Sequence, residues 1–176
     1  MPDIWEDTRQ QAGKHENKRR WFESHGVSVG RRALVTGDYE RADGMSNVLV
    51  DTKRSLDEVV MDCGRDHARF VRELDRARDA GCRLVILIEV GAPYTSIESI
   101  AKWTSGVCKR CDLYRSSMCD PRAQGPCRRK RHKPMQGDTL LKIMRTLESA
   151  HGCRFEVCHP AHAAIRICEL LGVNHE

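Results

Sequence analysis

The spacing of apolar residues divides the chain into short strands and amphipathic helices. Apolar or alternating segments of strand length predict β-strands over residues 3–9, 27–36, 47–53, 83–88 and 153–158. Apolar residues spaced by three and four predict helices over 14–25, from Ser55 to Gly64, from Gly64 to Gly81, from Asp138, and from Pro160 to Gly172. This order of elements predicts an α/β fold in which helices cover both sides of a mixed sheet.

Two segments in the first third of the chain have the pattern of a β-hairpin. Residues 27–36 and 47–53 flank a stretch that contains Asp43-Gly44, a strong turn signal, so we expect the two segments to pair. The segment from Arg83 to Ile88 is apolar without alternation, which is typical of a central strand buried on both faces. We therefore expect this segment to form a central strand of the sheet.

Length and composition favour one domain. With 176 residues, of which 40% are hydrophobic, the chain is long enough for one core, and we predict a single domain over residues 1–176. The regular pattern is lost between Gly91 and Gly137, where we expect a cysteine-rich, basic insertion at residues 104–136. No apolar run approaches the about 18 residues of a membrane span, so no membrane association is expected. The first residues lack the features of a signal peptide, which indicates the cytoplasm, or the host-cell cytoplasm for a phage gene.

Three polar side chains lie at the ends of the two hairpin segments. Asp38 follows the first segment, and Asp51 and Lys53 end the second. Since side chains alternate along a strand, Asp51 and Lys53 share a face while Thr52 points away. Two carboxylates and an ammonium suit metal-assisted phosphodiester hydrolysis, because Mg²⁺ prefers hard oxygen ligands and a cation can orient the attacking water. The alternative is a strand-edge salt bridge between Asp51 and Lys53 with no catalytic role.

The order of these and neighbouring motifs resembles the XPF-type nuclease domain, a branch of the PD-(D/E)xK superfamily. Gly37-Asp38, then Asp51-Thr52-Lys53 and then Asp57 are similar to the family's central motif. Asp7-Thr8-Arg9-Gln10 is similar to its first strand, and Leu84 to Glu89 is similar to its later apolar strand. Together these motifs cover residues 3–90, and Cys153 to Leu171 resembles the closing strand and helix. The resemblance implies a restriction-endonuclease-like fold.

The resemblance also implies a function and a set of roles. It implies a DNA endonuclease in which Asp38 and Asp51 bind Mg²⁺ or Mn²⁺ and Lys53 positions water or stabilises charge on the phosphorane. The expected additional contributors are Asp7, Arg9, Asp57 and Glu89, with Arg9 contacting the scissile phosphate. The family cuts flap or branched DNA in repair or recombination, and this chain looks like a stand-alone version from a phage or prophage. Its usual tandem helix-hairpin-helix domain has no counterpart here, so the insertion is expected to contact DNA instead.

Three positions depart from the family's pattern. Asp51 stands where the family has Glu, Thr52 stands where it has Arg, and Gln10 stands where it has Glu. Asp7 or Glu16 could substitute for the carboxylate lost at Gln10. These departures leave open a non-catalytic DNA-binding module that uses a nuclease-like scaffold, and RNA cleavage is a third alternative. The sequence is also compatible with a homodimer or with an unidentified protein partner.

The insertion contains four closely spaced cysteines among basic residues. Cys108, Cys111, Cys119 and Cys127 have the number and the close first pair of a tetrahedral zinc site. We expect Zn²⁺ there, while an iron–sulfur cluster or unligated thiols are the alternatives. The other five cysteines lie in or beside apolar elements, where we expect small core residues: Cys63, Cys82, Cys153, Cys158 and Cys168.

The chain's positive charge is concentrated beside these cysteines. Lys and Arg outnumber Asp and Glu by 30 to 25. The densest cluster directly follows Cys127 and predicts contact with DNA phosphates, although a solvated surface is the alternative: Arg128, Arg129, Lys130, Arg131 and Lys133. Arg65, near the start of a predicted helix, could also contact a phosphate, or it could pair with a neighbouring aspartate.

Overall fold

The computed structural model describes residues 1–9 and 15–175. Its described part contains a six-stranded mixed sheet in the order β2-β1-β3-β4-β5-β6. The strands are β1 (Ile4–Asp7), β2 (Val29–Arg32), β3 (Tyr39–Arg41), β4 (Val48–Lys53), β5 (Arg83–Glu89) and β6 (Arg154–Cys158). The helices are α1 (Glu16–Ser24), α2 (Leu56–Cys63), α3 (His67–Asp79), α4 (Gly106–Lys109), α5 (Asp112–Arg115), α6 (Gly137–His151) and α7 (Ala163–Leu171). The predicted α/β fold with a mixed, helix-flanked sheet is confirmed.

A β-hairpin is present, but the prediction that residues 27–36 form its first strand is wrong. Segment 27–36 contains β2, which pairs in parallel with β1 at the edge of the sheet. The antiparallel partner of β4 is instead β3, which begins directly after Asp38. Gly37 lies between β2 and β3. Its φ of +76° is a left-handed conformation that favours glycine, and the chain turns there before β3. The apolar spacing of 27–36 did not show that the chain changes direction before Asp38.

The sheet is covered on both faces, and each face has its own core. On one face α2, α3 and α6 bury a cluster that includes Ile86 and Phe155. On the other face α1 and α7 bury a cluster around Tyr39 and Val50. All five residues from Leu84 to Ile88 in β5 are buried, as expected for a central strand. The strands that carry the polar residues are thus clamped between two packed layers.

The segment that precedes the predicted insertion packs in the main core. A 3₁₀ helix over Glu98–Lys102 places Ile100 in that core, and Trp103 follows it there. Near the end of the predicted insertion, Met135 is half-buried against the same core. The next helix begins at Gly137, one residue before the predicted start at Asp138. Only glycine fits at position 137, because a Cβ there would lie 1.9 Å from the Ile100 carbonyl oxygen.

Several smaller predictions have definite outcomes. The last helix begins at Ala163, after a 3₁₀ turn over Pro160–His162 rather than at Pro160 itself. Among the five cysteines assigned to the core, Cys63, Cys153 and Cys168 are buried, whereas Cys82 and Cys158 are half-buried. No helix within residues 1–9 and 15–175 has both the length and the apolar character needed to cross a membrane.

Candidate functional site

Backbone hydrogen bonds hold Asp38 between two strands. Its amide donates to the Val50 carbonyl oxygen over 2.7 Å, and its own carbonyl oxygen accepts from the Asp7 amide over 2.9 Å. In the next register position Tyr39 is paired with Val50, so Asp38 lies across from Asp51. The two carboxylates predicted to form one site are therefore brought together by the β3–β4 pairing.

The side chain of Asp38 is buried and oriented by Thr52. Its Oδ2 accepts from the Thr52 amide over 2.8 Å and from the Thr52 hydroxyl over 2.6 Å. Thr52 is the position where the XPF-type motif has Arg. In this chain its short hydroxyl binds one of the two aspartates, so this departure contributes directly to the geometry of the site.

Asp51 and Lys53 share the opposite face of β4, as the alternation predicted. The Lys53 Nζ lies 2.8 Å from Asp51 Oδ2 and 2.8 Å from Asp62 Oδ2. Lys53 therefore bridges the two carboxylates, and Asp51 Oδ2 is buried against its ammonium. A carboxylate has about four lone-pair sites, so this contact leaves Asp51 able to accept a further ligand.

The electrostatic environment of Asp51 disfavours its charged form. Burial and, after it, the nearby Asp38 carboxylate raise the pKa of Asp51 to about 7, while Lys53 opposes the change. For Lys53, burial works to lower the pKa, but Asp51 and Asp62 together raise it above its ordinary value. The lysine is therefore charged at neutral pH, while the neighbouring carboxylate pair needs additional positive charge.

Three residues on α2 and α3 extend this site beyond the predicted set. Arg69 lies 2.6 Å from Asp62 Oδ1 and 3.0 Å from Glu73 Oε1. Burial raises the pKa of Glu73, although Arg69 acts against the shift. Asp62 had a signal in the sequence, because it lies on the same helix face as the buried Val59 and Cys63. A carboxylate on an apolar helix face is rare unless it is paired.

Asp7 and Arg9, two of the predicted contributors, form a turn at the end of β1. The buried Asp7 carboxylate accepts from the Arg9 amide, from Arg9 Nε over 2.6 Å and from the Leu34 amide. Arg9 itself is exposed and donates to the Leu34 carbonyl oxygen over 2.8 Å. Asp7 therefore stabilises the strand end next to Asp38. Gln10 lies outside the described residues, and the proposed substitute Glu16 is an exposed partner of Arg20.

Glu89 and Asp57, the other predicted contributors, have partners away from the carboxylate pair. Glu89 forms an ion pair with Lys18 of α1 beside a cavity of about 230 Å³ that His15 and Arg54 also line. Lys18 is buried on the same face of α1 as Phe22, four residues later, which is the sequence signal for this pair. Asp57 accepts from the Gly106 amide over 3.3 Å and so attaches the insertion to α2.

The four cysteines of the insertion line one cavity. Cys108 is buried, the other three are half-buried, and all four border an open cavity of about 660 Å³. The Gln136 amide Nε2 lies 3.5 Å from Cys108 Sγ and donates to it. Burial raises the pKa of the Cys108 thiol. Within the described ranges, no three His, Cys, Asp or Glu side chains are grouped closely enough to hold a single metal ion.

The predicted phosphate-contacting residues are all exposed. In the basic cluster that follows Cys127, Arg129 pairs with Asp112 and Lys133 donates to the Ala123 carbonyl oxygen. The remaining three, Arg128, Lys130 and Arg131, form no ion pair with any residue in the described part of the chain. Arg65 is also exposed and lies 3.3 Å from Asp66, the pairing that was the alternative to phosphate contact.

Comparisons with known proteins leave the motifs as the only basis of the resemblance. No protein-family model matches the chain. No curated protein matches it either. The resemblance to XPF-type nucleases therefore rests on the sequence motifs within residues 3–90 and stays a prediction.

Proposed function

We propose that this protein is a metal-dependent DNA endonuclease and that Asp38 and Asp51 bind its divalent cation. The proposal rests on the proximity of the Asp38 and Asp51 carboxylates. Two carboxylates lie on adjacent, well-packed strands, and one of them has a pKa near 7 because of burial and of the other's charge. A bound cation would remove this electrostatic cost, which is how acidic sites for metals are commonly balanced.

The donor atoms suit Mg²⁺ or Mn²⁺. Both ligands are carboxylates, and Mg²⁺ is typically held by one or two carboxylates together with water and substrate phosphate oxygens. Lys53 contacts the Asp51 carboxylate through Oδ2, so a bound cation would share this carboxylate with the ammonium. When bound, the metal would polarise the phosphodiester and lower the pKa of a coordinated water.

Lys53 supplies the second element of the chemistry. Its ammonium is held between Asp51 and Asp62, and those carboxylates keep it protonated. A fixed cation at this position can orient the attacking water or stabilise the negative charge that develops on the phosphorane. Arg69 holds Asp62 from the other side, so we assign Asp62 and Arg69 a role in positioning Lys53.

The insertion is the proposed DNA contact. Residues 104–136 contain nine Lys or Arg and two Asp, whereas the whole chain has a net charge of only +5. The hydrogen bond from the Gly106 amide to Asp57 fixes the start of this segment to α2, only four residues after Lys53. Phosphate contact by these cations would depend strongly on salt.

Cleavage assays test the proposal. The wild-type protein is incubated with Mg²⁺ and labelled flap, nicked and single-stranded DNA, and with RNA of the same sequence. We expect DNA cleavage by wild type and by Asp79→Asn, which removes an exposed carboxylate at the far end of α3, and none by Asp51→Asn. DNA binding without cleavage of any substrate in Mg²⁺ or Mn²⁺ would instead favour the non-catalytic DNA-binding alternative.

A further inference from the structure

One cavity of the body lies at the carboxyl ends of β5 and β6. It has a volume of about 600 Å³ and is lined by the ends of these two strands, by the residues that follow them and by side chains of α7. The Val90 amide donates to the Cys158 carbonyl oxygen over 2.9 Å, so the two strand ends that border the cavity are joined. Its volume lies within the range of about 300–1,000 Å³ that is typical of sites for small ligands.

This cavity lies on the same edge of the sheet as the end of β4 that carries Asp51 and Lys53. β4, β5 and β6 are parallel neighbours, with Lys53 paired to Ile88 and Glu89 paired to Cys158. Ligands of open α/β sheets bind outside the edge where such carboxyl ends meet. Neighbouring strands lie about 4.8 Å apart, so the ends of β4 and β6 are separated by about 10 Å. At a rise of about 3.4 Å per stacked nucleotide, a DNA strand covers this distance with about three nucleotides.

Three flat side chains line the cavity. Tyr94 is half-buried against the main core, and the turn that carries it is closed by a hydrogen bond from its amide to the Gly91 carbonyl oxygen. His159 is fixed as well, because its Nδ1 accepts from the Ala161 amide over 3.2 Å. The ring of His162 has its centroid 5.7 Å from that of His159. Rings of these types are the surfaces on which unpaired nucleobases stack in nucleic-acid-binding proteins.

The charged side chains that border the cavity compensate each other. The Arg166 guanidinium lies 2.7 Å from Glu156 Oε2 and 2.6 Å from Glu169 Oε2. A phosphate would have to compete with these carboxylates, and Glu169 itself lines the cavity. Much of the remaining lining is apolar, including Val90 and Val157. The cavity therefore suits an uncharged flat group better than an anion.

We propose that this cavity binds one unpaired nucleobase of the DNA strand whose phosphodiester reaches Asp51 and Lys53. The inference rests on the proposed endonuclease function and adds a base-binding site about three nucleotides from the cleaved bond. The rings of Tyr94, His159 and His162 supply the stacking surfaces. Bases within an intact duplex are stacked and paired, so an unpaired or flipped-out base is the form that enters.

Removal of bases without removal of phosphates tests this inference in the full-length protein. A labelled duplex with a single-stranded arm is compared in Ca²⁺ with the same DNA whose arm is abasic at every position, so both DNAs carry the same charge. We expect wild type to bind the arm with bases about tenfold more tightly, the scale of one stacked base. Tyr94→Ala and His162→Ala should reduce this ratio towards one. Tyr94→Phe, which keeps the ring, and His67→Ala, an exposed histidine of α3, should retain it.

Equal affinity of wild type for the two DNAs, or no binding of either, would overturn the inference. A preference that persists in folded Tyr94→Ala and His162→Ala would also overturn it, because the base would then bind elsewhere. Folding of each variant is checked by circular dichroism. Cleavage in Mg²⁺ separates this inference from the proposed function: cleavage without a base preference removes the base site alone. A preference abolished by Tyr94→Ala, without cleavage by wild type, removes the endonuclease and leaves the base site.

Discussion

The body of the protein and its insertion have opposite charge and hold that charge in different ways. The body, outside residues 104–136, has a slight excess of acids, and it concentrates Asp38, Asp51, Asp62 and Glu73 around one lysine and one arginine. The insertion has nine basic and two acidic residues, and its densest basic cluster is exposed. One region therefore holds buried negative charge in a rigid core, while the other presents positive charge without a core.

The comparison shows how each region can position charge. In the body, two packed cores fix the strands, so the carboxylates are held together although they repel each other. The insertion adds no such core among the described residues, and contacts such as Gly106 with Asp57 and Arg122 with the Lys102 carbonyl oxygen attach it to the body. Hence we expect changes at the body's carboxylate pair to alter chemistry with little effect on DNA binding, and changes in the insertion to do the reverse.

The largest expected effect is the loss of cleavage when the body loses its site residues. Asp51→Asn and Lys53→Ala should each lower the rate of DNA cleavage by at least about a hundredfold, the scale for a group that acts on transition-state charge. Their affinity for DNA in Ca²⁺ should stay close to that of wild type. Lys142→Ala, an exposed lysine of α6, is the control for Lys53. Near wild-type rates in folded variants would remove the assigned site.

A change of metal should separate DNA cleavage, assigned to the body, from DNA binding, assigned to the insertion, without any mutation. Mg²⁺ and Mn²⁺ should support binding and cleavage, while Ca²⁺ should support binding alone, because it holds oxygen ligands at longer distances in a looser geometry. Gel-shift and cleavage assays on one labelled substrate measure both properties. Cleavage that persists at full rate in EDTA would show that the carboxylate pair does not act through a metal.

Removing charge from the insertion should affect binding and its dependence on salt. Replacement of Arg128, Lys130 and Arg131 by Gln should reduce the slope of log affinity against log salt by up to about 2.7, since each lost phosphate contact removes about 0.9. Gln at Arg72, Arg78 and Arg83 removes the same charge from exposed positions of the body and is the matched control. A salt slope that falls equally in both triple variants would place the DNA elsewhere.

The smallest effect concerns stability. The pKa of Asp51 is about 7 in the folded protein and near 3.8 when unfolded, so the folded state binds the extra proton between these values. Metal-free wild type should therefore lose stability as the pH rises from about 4 to 7. Asp51→Asn should raise the thermal midpoint in EDTA at pH 8 and much less at pH 5. An equal rise at both pH values would contradict the raised pKa.

The sequence predicted the sheet and the central pair of residues well because those features depend on local patterns. Alternation placed Asp51 and Lys53 on one face of β4, and the continuous apolar run identified β5 as central. The wrong hairpin partner has a physical cause: pairing of β2 with β1 is parallel and joins distant parts of the chain, so no turn signal marks it. Asp62 had a local signal on its apolar helix face, whereas Arg69 and Glu73 reach it only through the packing of α3 against α2, which no single segment encodes.

The insertion could be predicted only in part. The four cysteines were visible as a set, and their spacing favoured zinc. That all four cysteines line one cavity is a property of the folded loops. Residue spacing along the chain does not determine spacing between sulfur atoms when little regular structure connects them.

Direct measurement of metal binding tests the central claim, that the body's Asp38–Asp51 pair is a divalent-cation site. Mn²⁺ binding to the full-length protein is followed by electron paramagnetic resonance, with Mg²⁺ as competitor and Asp79→Asn as control. We predict that wild type and the control bind Mn²⁺ and release it to Mg²⁺, and that Asp38→Asn and Asp51→Asn lose this binding while remaining folded. Undiminished, Mg²⁺-sensitive Mn²⁺ binding in both folded variants would contradict the assignment.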